Sequence, residues 1–82
     1  MTEKCWYVYM LRCSDGSLYT GITNDPERRL RQHNAGTASK CTRSRRPVKM
    51  VYCEEVADKS IALRREASLK KLPRQEKMLL LL

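Results

Sequence analysis

No two cysteines of this 82-residue chain form a C-x-x-C pair, and no histidine stands at zinc-ligand spacing from any of them. That absence excludes the common structural zinc sites. A charged-then-apolar N-terminal signal is missing too, since "MTEKCWYVYM" has the wrong order and no small-residue cleavage site. A disulfide framework is therefore not expected, and the protein is expected in the cytoplasm. Cys5, Cys13 and Cys53 lie in apolar strand-like runs, where a reduced cysteine serves as a small hydrophobe. "MLLLL" at the C-terminus falls far short of the ~20 apolar residues that a membrane span needs. Repeats and low-complexity blocks are absent, and the length suits one domain, residues 1–82, with a modest core.

Negative charge is also in short supply. Nine Asp plus Glu stand against 17 Lys plus Arg, a formal charge of +8. Such an excess suits a nucleic-acid partner or an anionic membrane surface, and a merely solvated basic face would show it as well. Charge alone names no chemistry.

The local patterns define a small α+β domain. "CWYVYMLRC" and "SLYTGIT", separated by a turn, read as a β-hairpin. Asp25 before Pro26 predicts a helix start, with a stop near Asn34-Ala35-Gly36. "GTASKCTRSRRP" reads as a polar, basic loop and "VKMVYCEEV" as a third strand. Asp58 caps a second long helix through about Leu72; after Pro73, "RQEKMLLLL" reads as a short helix whose leucines close the core. The expected order is ββαβαα, a three-stranded antiparallel sheet flanked by helices.

Two hairpin registers remain open. A two-residue Asp15-Gly16 turn faces Ser14 with Ser17 and puts Tyr9 and Tyr19 on opposite sheet faces. A three-residue Ser14-Asp15-Gly16 loop, with Gly16 left-handed, faces Cys13 with Ser17 and Tyr9 with Gly21. Both phenols then share a face, because the side-chain period of a strand is two. A site built on both tyrosines requires the second register.

On the first helix Arg29 and His33 are four apart and lie on one face, close after the Tyr19 strand. Taken singly, Tyr19 reads as a half-buried strand aromatic, Arg29 as a solvated charge and His33 as a lone surface histidine. Glu66, with Ala62, Leu63 and Leu69 as helical neighbours, sits at the edge of the apolar stripe, and a salt bridge would account for it.

Together these residues say more. "YVY" at Tyr7–Tyr9, "YTG" ten residues beyond Tyr9, Arg29 ten further on and Glu66 in "ALRRE" resemble the GIY-YIG nuclease family. The resemblance runs over nearly the whole chain, and "TRSRRPVKMVY" looks like the small stand-alone bacterial branch of UPF0213-like proteins. "RRLRQHN" also looks like the nucleases that cut branched DNA, which implies service in DNA repair. Tyr7 stands where the motif's first glycine falls, Thr20 where its second isoleucine falls, and Ile22 where some members carry lysine.

The resemblance implies a metal-dependent endonuclease with Tyr9, Tyr19, Arg29, His33 and Glu66 as catalytic residues. Tyr19 would orient or deprotonate the water with Tyr9 bonded nearby, and His33 would take the proton, its pKa being close to operating pH. Arg29 would grip the non-bridging oxygens as a planar fork. Glu66 would hold one Mg²⁺ (or Mn²⁺), an ion often bound by one or two carboxylates. Lys40, Arg43, Arg45 and Arg46 would clamp the DNA backbone, positioning a duplex without reading it. A non-catalytic nucleic-acid-binding module that kept the fold is the alternative.

Overall fold

The computed structural model describes residues 5–81. Its elements are β1 (Trp6–Arg12), β2 (Leu18–Thr23), α1 (Pro26–Ala35), α2 (Lys40–Arg43), β3 (Lys49–Val56), α3 (Lys59–Lys70) and α4 (Arg74–Leu79). The three strands form one antiparallel sheet in the order β2-β1-β3. The expected sheet and helices are present. The order differs by one element, because the basic loop contains the four-residue α2.

The hairpin takes the three-residue loop. Gly16 adopts φ 84°, and Cys13 N–H donates to the Ser17 carbonyl at 2.9 Å. Asp15 Oδ1 accepts from Ser17 N at 3.0 Å and from Ser17 Oγ at 2.6 Å, which closes the turn. Tyr9 consequently pairs with Gly21, and Leu11 with Tyr19. Tyr9 and Tyr19 share one face.

β1 is central and covered on both sides, so Val8, Tyr9, Met10 and Leu11 are all buried. Tyr9 and Leu11 of β1 meet Tyr19, Leu30 and Met50, with Cys13 and Val48 completing that core. On the opposite face Val8 packs with Ala62 and Leu69 of α3, among Trp6, Ile22 and Tyr52. Two small cores thus lie back to back across a single strand. A register shift between Met10 and Leu11 bulges β3 at Val51, which re-aims its first residues.

Two expectations fail at the periphery. Cys53 is exposed, because the outer strand β3 carries it on the sheet face that α1 only partly covers. α4 buries none of its residues, and Leu79 is 65 % exposed. Pro73 ends α3's turn with extended backbone and α4 follows without a side-chain cap, so these leucines do not close the core. Leu82 lies outside the described residues.

Candidate active site

The site begins with a glycine. A Cβ on Gly21 would stand 2.7 Å from the Tyr9 hydroxyl oxygen and 3.2 Å from Tyr19 Cε1. The missing side chain lets the Tyr9 ring lie across β2 towards Tyr19, with centroids 6.4 Å apart. Hydrogen substitutes for a side chain so that one phenol can cross to the other.

α1 supplies the next two groups. Asp25 accepts from Arg28 N at 3.2 Å, Pro26 opens the first turn and Gly36, at φ 82°, closes the last. Such a cap is worth about 1 kcal/mol, enough to fix where a ten-residue helix starts. His33 then falls on the inward face, 1 % exposed. Its ring centroid lies 5.9 Å from that of Tyr9 and 5.2 Å from that of Tyr19. The reading of His33 as a surface histidine is therefore wrong. Its Nε2 is 2.9 Å from the Tyr9 hydroxyl and its Nδ1 is 2.8 Å from Thr42 Oγ1. Burial, then the charge of Arg29, pull the His33 pKa below the usual imidazole value. The ring is neutral near pH 7.

Burial raises the Tyr9 pKa well above that of a free phenol, and Tyr19 adds to the rise. Arg29 opposes it, while Glu66 reinforces it. Both charges therefore stand close enough to be felt at Tyr9, although α1 and α3 cover opposite sheet faces. Arg29 Nε is buried and, among the described residues, has no hydrogen-bond partner. A buried cationic donor left unpaired is costly, and an anion would satisfy it.

Glu66 lies in α3 between the buried Ala62 and Leu69, at the edge of the apolar stripe; Leu63 is 47 % exposed and falls outside it. The Glu66 side chain is 20 % exposed, and Oε2 meets Lys70 Nζ at 3.5 Å. Among the described residues no three His, Cys, Asp or Glu gather into a metal cage. A lone, accessible carboxylate fits an ion that keeps most of its waters, as Mg²⁺ does, and does not fit zinc.

The basic loop is better fastened than its composition suggests. Arg45 pairs with Asp15 at 3.1 Å, and its Nη1 donates to the Cys41 carbonyl at 3.4 Å. Arg46 Nε donates to the Arg43 carbonyl at 2.8 Å, and its Nη1 to the Asn34 carbonyl at 3.3 Å. These two arginines hold helix ends as well as presenting charge. Lys40 and Arg43 are exposed, and their charged groups form no ion pair among the described residues.

Two residues of this region carry no signal that sequence reasoning could use. Thr42, a polar residue in a basic loop, is fully buried against His33. Asn34 uses both ends of its amide on Val48, donating to the carbonyl at 3.2 Å and accepting from N–H at 2.8 Å.

This arrangement is that of a nuclease-type domain: residues 5–78 match the model of the GIY-YIG catalytic domain, and the chain belongs to that family. It is 50 % identical over 72 residues to a UPF0213 protein of Staphylococcus haemolyticus, covering 88 % of each chain. A UPF0213 protein of Syntrophus aciditrophicus is 53 % identical over 76 residues, covering 92 % of this chain and 87 % of its own. Among solved structures, the solution NMR structure of a UPF0213 protein from Bacillus halodurans is similar, with a TM-score of 0.59 and 42 % identity. That match covers 93 % of this chain and 81 % of the other. The E. faecalis protein EF2693 matches with a TM-score of 0.63 and 46 % identity, covering 96 % and 85 %. No helix among the described residues is long and apolar enough to cross a membrane.

Proposed function

We propose that the chain is a divalent-metal-dependent endonuclease that hydrolyses DNA phosphodiester bonds, selecting by DNA structure or not at all. The observation that carries this reading is the convergence of three rings, Tyr9, Tyr19 and His33, within 6.4 Å, with Arg29 and Glu66 both acting on Tyr9. A binding module needs only the charge; it has no use for a buried tyrosine–histidine pair.

Hydrolysis needs an oriented water, stabilised phosphoryl oxygens and a route for a proton. Tyr19, half-buried beside Tyr9, orients the water. His33 bonds Tyr9 rather than Tyr19, so a proton leaving Tyr19 reaches the imidazole through the Tyr9 oxygen. Arg29 meets the non-bridging oxygens, and the orphaned Nε finds there the acceptor that the fold denies it. Glu66 would hold a Mg²⁺ ion, which supplies charge stabilisation at the phosphate.

Nicking of supercoiled, linear and branched DNA, with Mg²⁺, Mn²⁺ or chelator, tests the proposal. Cleavage is expected with either metal and none with chelator or in the Tyr19→Phe protein. DNA binding with no metal-dependent nicking on any substrate would instead support the non-catalytic module.

The loop has its own test. Replacing Lys40 and Arg43 by glutamine should weaken binding equally on all duplex sequences. The slope of log affinity against log salt should fall by about 0.9 for each phosphate that is no longer neutralised. An unchanged slope in salt titrations would make these two residues a solvated face. Arg45 and Arg46 suit this test less well, since their removal also unfastens the loop.

A further inference from the structure

The geometry points to Thr42 as a positioning residue of this site: from the basic loop it takes the His33 Nδ1 hydrogen, leaving Nε2 to hold the Tyr9 hydroxyl. The proposed direction of each bond in this chain starts from its last member. Thr42 Oγ1 lies 3.4 Å from the Ser39 carbonyl, and a carbonyl can only accept. Giving the threonine hydrogen to that acceptor-only partner makes Thr42 the acceptor of His33 Nδ1–H at 2.8 Å. A neutral imidazole carries one hydrogen, and with that hydrogen on Nδ1 the bare Nε2 must accept from Tyr9 at 2.9 Å. Burial favours the neutral, single-hydrogen ring that this assignment assumes.

The result is a one-way relay, Tyr9 to His33 to Thr42 to the Ser39 backbone, with its three side chains 2 % exposed or less. Tyr9 then spends its only hydrogen on the imidazole, which leaves its oxygen free to act as an acceptor. With the opposite tautomer Tyr9 would accept from His33, and its own hydrogen would compete for the water. Thr42 sits in α2, on the same loop as Lys40 and Arg43, so the segment that carries those two charges also orients the phenol. The effect on catalysis rests on the nuclease reading; the tautomer does not.

The test has two arms, both on the full chain. Long-range ¹H–¹⁵N spectra should show Nδ1 protonated and Nε2 bare in the unaltered protein; the opposite tautomer overturns the proposal. Thr42→Val keeps the shape and removes the acceptor. Its nicking rate with Mg²⁺ should fall about 10- to 100-fold, as when other partners that orient a histidine are removed. Duplex affinity should not change, and Thr42→Ser should recover most of the rate. Thr42→Val nicking at the normal rate, or a loss lying wholly in DNA affinity, overturns the proposal. If the unaltered protein nicks nothing, the nuclease reading fails on its own. The spectra still decide Thr42's role, because Thr42→Val must then disturb the His33 tautomer, and an undisturbed ring overturns it.

Discussion

Glu66→Gln should leave a folded protein that binds DNA at least as tightly as before and nicks it roughly a thousandfold more slowly. That factor corresponds to the several kcal/mol of charge stabilisation that a metal ion supplies at a phosphoryl group. Glutamine keeps the size and hydrogen-bonding capacity of the side chain and removes the charge that would hold the cation. Little stability is at stake. The partner of Glu66 is Lys70, 56 % exposed and one turn further along α3, and exposed pairs of this kind contribute about 0–1 kcal/mol. Affinity is not expected to suffer, because a carboxylate facing phosphate without its metal repels it. Thermal unfolding and nicking on one preparation separate the possibilities. Lowered stability with cleavage kept would make Glu66 a structural ion-pair partner. A stable variant with undiminished metal-dependent cleavage would refute the role.

Gly21→Ala, a single added methyl, should cost about 1–3 kcal/mol of stability, the usual range for overpacking a filled interior. It should also remove most of the cleavage. The new Cβ would stand 2.7 Å from the Tyr9 oxygen and 2.8 Å from Tyr9 Cζ, and atoms do not remain that close. A flexible chain end could swing aside, but this one is an aromatic ring buried to 2 % exposure and bonded to His33. The ring must tilt as a whole. The 2.9 Å bond to Nε2 then lengthens or breaks, and a buried imidazole nitrogen loses its partner at a cost of about 1–3 kcal/mol. Denaturant unfolding measures the first loss, and the Tyr9 and His33 NMR signals report the second. If the variant is as stable as the parent, with those signals in place, Gly21 is not the spacer between the two tyrosines.

The hairpin illustrates what a sequence can and cannot settle. Both registers obey the same turn chemistry. The choice is made by Gly16 at φ 84° together with Asp15 accepting twice from Ser17. The requirement that two phenols share a site pointed to the register found. Helix α1 was legible because Asp25, Pro26 and Gly36 each mark an end by a local mechanism. α2 was not, since a four-residue helix offers no periodicity and its Ser39 cap is one polar residue among many. Thr42 was hidden for a different reason. Its burial is caused by a histidine nine positions earlier, and nothing in "KCTRSRR" announces that partner. Leu79 and Cys53 misled because hydrophobicity states a preference for burial without supplying a surface to be buried against.

Two adjacent residues of α1 are tied to two different parts of the sheet. His33 reaches Tyr9 in β1, and Asn34 grips both backbone groups of Val48 just before β3. Neighbours on a helix point about 100° apart around its axis. Pinning both therefore works like a key in a keyway: the cylinder can neither roll nor slide along the sheet. Arg29, one turn earlier, shares the bearing that this lock gives the helix, its own Nε having no hydrogen-bond partner among the described residues. A catalytic group must stay within about half an ångström of its working position. On the proposed nuclease reading, indexing the rotation at one end would serve that tolerance and leave the other end for the phosphate.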